Sequence, residues 1–219
     1  MTIEYTKENF IPYVQNYLLQ SKDAINYLAK RKVISSQVKD FGIGFSGKGV
    51  SFNNCNVYAN RLIFPMRDEY GDFIGVVSRG LEASNFRYMK TLFDDTKKGF
   101  LFGIYNAIES IYKTKSVLLV EGVFDLLAVQ PFFPASVAML TSGLSSAHKE
   151  VLDRYVKKII YVPDNDSAGQ ESYANLIKFC SKRYEIIKVD YAHKDLSAWL
   201  ESDKASFSAY FTDLKNIFF

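Results

Sequence analysis

The sequence predicts two architectures in one chain, α+β first and α/β second: a small, mixed, basic N-terminal subdomain, then a parallel sheet with helices on both faces. Three observations carry this reading. Residues 40 to 92 hold short alternating apolar runs broken by Gly and Asn, the pattern of strands joined by turns. From Gly103 onward, four short apolar runs are separated by helical patterns, as in a sheet buried on both sides. Carboxylates directly follow two of those runs, in Glu121-Gly122-Val123-Phe124-Asp125 and in Asp164-Asn165-Asp166-Ser167-Ala168-Gly169.

Taken in order, residues 7 to 30 place Phe10, Val14, Tyr17, Leu18, Ile25 and Leu28 near helical spacing, with Ser21 suited to cap a second helix. A short helix is expected around Ser36 to Asp40. Phe41-Gly42-Ile43-Gly44-Phe45 and Val50-Ser51-Phe52 read as short strands. Arg61 to Met66 and Phe73 to Arg79 read as the two arms of a hairpin, turning at Asp68 to Gly71.

The second part opens with a helix over Gly103 to Thr114, whose Ile104, Ala107, Ile108 and Ile111 share one face. Strands are expected at Val117–Val120, Ser136–Leu140, Lys158–Val162 and Tyr184–Val189. Helices are expected at Phe124–Gln130, stopped by Pro131 and Pro134, at Ser145–Tyr155 and at Ala168–Ser181. The expected division is 1–99 for the helical and mixed basic subdomain, 100–200 for the catalytic subdomain and 201–219 for a helical or flexible tail.

Composition bounds the function classes. The 219 residues include 48% hydrophobic and 23% charged residues, the range of folded proteins rather than disordered ones. Aromatics reach 16%, which suits either a Phe-filled core or rings that stack on bases. A net charge of +3 discriminates little. Cys55 and Cys180 form no CxxC, and the histidines are only His148 and His193, so an ordinary structural zinc site within the chain is excluded. Glu4 and Glu8 argue against a signal peptide, and no apolar run is long enough to span a membrane. A soluble, intracellular protein with reduced cysteines is expected.

In open parallel sheets, ligands bind beyond the carboxyl ends of the strands. Glu121 stands there on the first strand, Asp164 and Asp166 on the third. Asp125 approaches from the first helical turn, where negative charge is favoured. Like charges so placed repel and lose solvation, a cost that divalent cations would remove. Hard cations take carboxylate, water and phosphate oxygens, which makes phosphate chemistry on nucleic acid the natural reading. Gly169 would open the following helix and free backbone N–H groups for phosphate. The alternative is structural: Asp164 and Glu121 as helix caps and Asp166 as a first-turn charge. Asp195, past the fourth strand, suits an outer metal ligand or a helix cap. His193 and Lys194 suit phosphate contact or a solvated loop, and His148 a surface or packing position.

These motifs resemble those of the DnaG-type primases and their Toprim domain. Glu121, Gly122 and Asp125 match the family's Glu-Gly-x-x-Asp motif. Asp164, Asp166, Ala168 and Gly169 match its Asp-x-Asp-x-Ala-Gly motif. Upstream, the resemblance takes in Tyr27-Leu28 with Arg31, Phe41 to Phe45, Arg61-Leu62-Ile63-Phe64-Pro65 with Asp68, Gly71, Ile74-Gly75 and Arg79, then Arg87-Tyr88-Met89-Lys90, Lys98-Gly99, Leu101-Phe102-Gly103 and Ala107. It spans about residues 24 to 200 in the family's order.

The resemblance implies a Toprim-like parallel sheet and a DNA primase making short RNA primers on a single-stranded DNA template from ribonucleoside triphosphates. It implies two-metal nucleotidyl transfer, with a pair of Mg²⁺ or Mn²⁺ ions held by Glu121, Asp164 and Asp166, and Asp125 and Asp195 in support. Arg61, Arg79, Arg87, Lys90, Lys98 and Lys194 would contact template phosphates or the nucleotide, ordinary surface charge being the alternative for each lysine.

Three departures shape the expectation. The family's Asp-Pro-Asp is here Asp195-Leu196-Ser197, and neither the N-terminal zinc ribbon nor the helicase-binding region and helical bundle is found. That suggests a minimal phage- or mobile-element-encoded primase, or one subunit of a split enzyme, in the cytoplasm of a bacterial host. A replicative helicase or a separate zinc-ribbon or helical subunit would be its partner. The competing readings are a Toprim-family metal-dependent nuclease and a non-catalytic nucleic-acid-binding replisome subunit.

Overall fold

A computed structural model describes residues 4–5, 7–47, 50–52, 55–57, 59–81, 88–92, 100–141, 143–180 and 182–218. The chain divides into two compact units, residues 1–98 and 99–219.

Unit 1 begins with β1 (Glu4–Tyr5), α1 (Lys7–Gln20), α2 (Lys22–Lys30) and α3 (Ser35–Asp40). Ser21 does cap α2, its hydroxyl accepting from the Ala24 N–H at 3.3 Å. Six strands follow: β2 (Gly44–Phe45), β3 (Val50–Phe52), β4 (Cys55–Val57), β5 (Arg61–Arg67), β6 (Phe73–Gly80) and β7 (Tyr88–Leu92). They form an antiparallel sheet in the order β2-β5-β6-β7 and a smaller one in the order β1-β3-β4.

The β5–β6 hairpin turns as expected because Asp68 accepts from the Tyr70 and Asp72 N–H groups at 3.1 and 2.9 Å. Pro65 sits within β5 at no cost to pairing: β2 pairs no further than Ile63, so no neighbour on that side is denied a donor. Gly44 lets α1 lie directly on β2, since a Cβ there would stand 2.4 Å from Val14 Cγ2. Phe10, Val14, Ile63, Phe73 and Val76 fill the core beneath.

Unit 2 alternates helix and strand: α4 (Ile104–Thr114), β8 (Ser116–Val120), α5 (Val123–Val129), β9 (Ser136–Ala138), α6 (Ser146–Tyr155), β10 (Lys158–Tyr161), α7 (Ser167–Cys180), β11 (Glu185–Lys188), α8 (Leu196–Ser202) and α9 (Lys204–Phe218). The four strands are parallel, in the order β11-β10-β8-β9. Side chains alternate across the strands. Val117, Leu119, Val137, Ile159 and Tyr161 join residues of α4, α6 and α7 in one core. None of α5 belongs to that cluster; it packs on β9 and α8 and covers the opposite face. Trp199, Phe207 and Phe211 build a small aromatic core between α8 and α9, so residues 204–218 are a packed helix.

His148 is a buried packing residue. Its Nδ1 accepts from the Ser145 N–H at 3.2 Å, which leaves the hydrogen on Nε2 to donate to the Phe100 carbonyl at 3.1 Å.

Candidate active site

After β8 the chain passes through α5 to β9 on one side, while β10 and β11 lie on the other. The carboxyl ends of β8 and β10 therefore flank the point where the strand order reverses. Their register sets Tyr161 beside Leu119. Glu121 leaves one strand end and Asp164 the other.

Glu121 is not a helix cap. Its Oε1 accepts from the Tyr161 hydroxyl at 2.9 Å and lies 3.4 Å from the Asp164 backbone N–H. Burial raises its carboxyl above the ordinary value, and the two donors oppose the rise. Asp125, in the first turn of α5, is buried, and its Oδ1 accepts from the Ser197 N–H at 3.0 Å. Burial pushes it up to about 6, with the Asp195 and Glu121 charges adding to the effect.

Asp164 is the most perturbed of the group. Burial, then the charges of Asp125, Glu121, Asp195 and Asp166, push its carboxyl up to about 8, and no hydrogen bond opposes them. Among the described residues no Lys or Arg forms an ion pair with any of these five acids.

Asp166 takes the capping role that the sequence left open for Asp164. Its Oδ1 accepts from the Gly169 N–H at 2.9 Å, one turn into α7. The expectation that Gly169 offers a free N–H to phosphate is corrected by that bond. Gly169 serves close packing instead: a Cβ there would lie 2.0 Å from the Asp164 carbonyl oxygen. Asp195 caps α8, accepting from the Ala198 N–H at 2.7 Å and the Ser197 hydroxyl at 3.2 Å.

The loop before α8 is stitched to the Asp164 loop. The Asn165 N–H donates to the Lys194 carbonyl at 2.8 Å, its side-chain amide to the Tyr191 carbonyl, and the Tyr191 hydroxyl to the Pro163 carbonyl. His193 stacks on Trp199 at 4.6 Å, while the Lys194 side chain is exposed. Sequence reasoning missed Tyr161, Asn165, Ser172, Tyr191 and Ser197. Only Tyr161 carried a signal, as the one hydroxyl-bearing residue in the Ile159–Val162 run.

The donor set suits a hard divalent cation. All five groups are carboxylates, and Asp164 is surrounded by negative charge, with nothing among the described residues donating to it. Among the described residues no three such groups stand close enough to form a ready-made cage.

In unit 1, Arg61 and Arg79 are both buried. Arg61 donates from Nε to the Ser78 hydroxyl at 2.8 Å and from Nη2 to the Ser78 carbonyl at 3.1 Å. Arg79 donates from Nε to the Tyr27 hydroxyl, which also accepts from Arg31. The Arg79 guanidinium lies 5.4 Å from the Tyr27 ring centre and 4.7 Å from that of Tyr88. Lys90 is exposed on β7. Arg87 and Lys98 lie outside the described residues.

Comparison with known proteins agrees with this geometry. Residues 118–200 match the family described as Toprim-like. The DNA primase of Borreliella burgdorferi is 29% identical over 202 residues, covering 76% of this chain and 38% of that protein. The Aquifex aeolicus primase structure, comprising zinc-binding and RNA polymerase domains, aligns with a TM-score of 0.81 at 20% identity, over 94% of this chain and 59% of that one. A DnaG primase catalytic domain bound to single-stranded DNA aligns with a TM-score of 0.75 at 21% identity, over 95% of this chain and 76% of that one. Residues 118–200 are thus a Toprim-like domain. With unit 1 preceding it, the chain has the fold of the DnaG primase catalytic cores it aligns with. It spans about two fifths or less of the length of the curated primases it matches.

Proposed function

We propose that this chain is the catalytic core of a DNA primase and joins ribonucleotides on a single-stranded DNA template. The observation that carries the reading is Asp164: a carboxylate at a strand end, repelled by four others, to which no Lys, Arg or hydrogen-bond donor among the described residues is paired. Glu121, Asp164 and the outer oxygen of Asp166 would hold Mg²⁺ or Mn²⁺, with Asp125 and Asp195 adding negative charge behind them. When bound, such a cation supplies positive charge to the reacting phosphates and lowers the pKa of an attacking hydroxyl.

The remaining work is positioning. A 3′-hydroxyl attacks the α-phosphorus, a new P–O bond forms and pyrophosphate leaves, so alignment and charge supply most of the acceleration. Arg79 and Lys90 are assigned to phosphate, with Arg87, Lys98 and Lys194 proposed alongside them. Arg61, donating to Ser78, is assigned an internal role instead. The single-stranded DNA on the structurally similar DnaG domain supports the choice of template. A replicative helicase or a separate zinc-ribbon or helical subunit would assist start-site selection, and the bacterial cytoplasm, with phage or mobile-element coding, remains the proposed setting.

The test is incubation with a single-stranded DNA library, four ribonucleotides and Mg²⁺ or Mn²⁺, beside Glu121→Ala and Asp164→Ala. Labelled short RNA is expected from the parent alone. Equal product from all three proteins overturns the assignment of these acids, and cleavage without incorporation points to a nuclease.

A further inference from the structure

Under the sheet end, three groups form a chain of hydroxyls and carboxylate. Tyr161 is fully buried at the end of β10, and Ser172 is nearly so on α7. The Tyr161 hydroxyl lies 2.9 Å from Glu121 Oε1 and 2.7 Å from Ser172 Oγ. A phenol has one hydrogen. Because a carboxylate can only accept, that hydrogen goes to Glu121, and Ser172 must donate to the phenol oxygen. The order is Ser172 to Tyr161 to Glu121.

Packing alone does not call for this hydroxyl. Phe would keep the ring, its place in the core and its stacking on Tyr173 at 6.1 Å without burying a polar group that must then be satisfied. What the hydroxyl adds is a fixed, neutral donor to one oxygen of Glu121. Neutrality matters. A Lys or Arg in its place would hold the carboxylate equally well, but its charge would cancel the attraction for a cation. The phenol restrains one oxygen and leaves the charge intact, with the second oxygen of Glu121 not engaged by it.

We propose that Tyr161, oriented by Ser172, is a positioning residue that fixes Glu121 as a divalent-cation ligand. The inference rests on the cation reading of the acidic site given above. Groups that orient a metal ligand from behind are worth roughly 10–100-fold in metal affinity when removed. The lower end applies here because the neighbouring carboxylates remain.

The experiment titrates Mn²⁺ into the full chain and follows free Mn²⁺ by electron paramagnetic resonance, without nucleotide or DNA. Tyr161→Phe is expected to weaken binding roughly 10-fold. Ser172→Ala should shift it the same way by less, and Ser172→Thr, which keeps a hydroxyl, should restore parental affinity. Single-stranded DNA affinity in chelator should be the same for all four proteins, which a general loss of structure would not allow. Parental Mn²⁺ binding by both Tyr161→Phe and Ser172→Ala overturns the positioning role alone. If the parent itself binds no Mn²⁺, the cation reading falls and takes this inference with it. Should Tyr161→Phe not fold, the contrast between Ser172→Ala and Ser172→Thr decides.

Discussion

In unit 1, the guanidiniums of Arg61 and Arg79 are both buried; in unit 2, five carboxylates gather at a sheet end. Both arrangements use neutral hydroxyls as partners, Ser78 and Tyr27 for the arginines and Tyr161 for Glu121. The outcomes differ. Burial and the nearby Arg79 lower the Arg61 pKa, but a guanidinium starts so high that it stays charged at any working pH. A carboxyl starts near 4, and the same forces carry Asp164 up to about 8. The basic cluster is therefore permanently charged, whereas the acidic site takes up a proton when no cation is present. Buried cations can be held ready in advance; buried anions need a counter-ion to remain anions.

The largest effect that would break this contrast is chemical. Asp164→Ala should cut primer synthesis by roughly 10²–10³-fold, the scale of losing one electrostatic stabiliser at a reacting centre. Its affinity for single-stranded DNA should hold, measured by fluorescence anisotropy in chelator. A parallel loss of binding would mean that the acids support the fold rather than the reaction.

Next is Gly169→Ala. The new methyl would sit 2.0 Å from the Asp164 carbonyl oxygen, so the loop must move, and the melting temperature should fall by roughly 4–10 °C. A normal melting temperature with full activity would show that the Asp164 loop is not pinned there.

The two arginines should then separate. If Arg79 holds phosphate as proposed, Arg79→Ala should reduce the dependence of DNA affinity on log salt by about 1, the loss of one phosphate contact. Arg61→Ala should leave that slope alone and cost about 1–3 kcal/mol of stability in urea, because the Ser78 groups lose their buried partner. Equal slope changes would put Arg61 on the template as well.

The smallest expected effect is in pH. A carboxyl whose folded-state value lies above its unfolded one binds its proton better when folded. Its contribution is fully present below about 4 and is lost as pH rises to about 8. Cation-free protein should therefore melt at lower temperature at pH 8.5 than at pH 5.5, other groups being equal. Asp164→Asn should raise the melting point at pH 8.5 by roughly 2–4 °C and flatten the slope, as should Mg²⁺ added to the parent. A slope unchanged in Asp164→Asn would place the titrating group elsewhere.

Much of the site's address was legible in the chain. Glu121 and Asp164 follow apolar runs too short and too β-branched to be helices, and acids so placed in a doubly covered sheet have few structural excuses. The Ser21 cap and the Asp68 turn were equally legible, because each depends on residues within four positions. What escaped was long-range. Tyr161 reaches Glu121 across 40 residues, and the Ser197 N–H reaches Asp125 across 72. Asp166, in the same motif as Asp164, spends an oxygen on a helix cap, which its place in the motif did not reveal.

By itself, the sequence determined the strands of the parallel sheet and of the β5–β6 hairpin, which residues are charged and which end of the sheet carries the acids, since hydrophobic period and turn chemistry are local; β1, β4 and β7 were not legible in it. Only the tertiary structure decided which acid is left without a donor and which is anchored. That depends on the parallel register of β8 with β10, because a hydrogen bond acts over about 3 Å and no spacing along the chain can specify it.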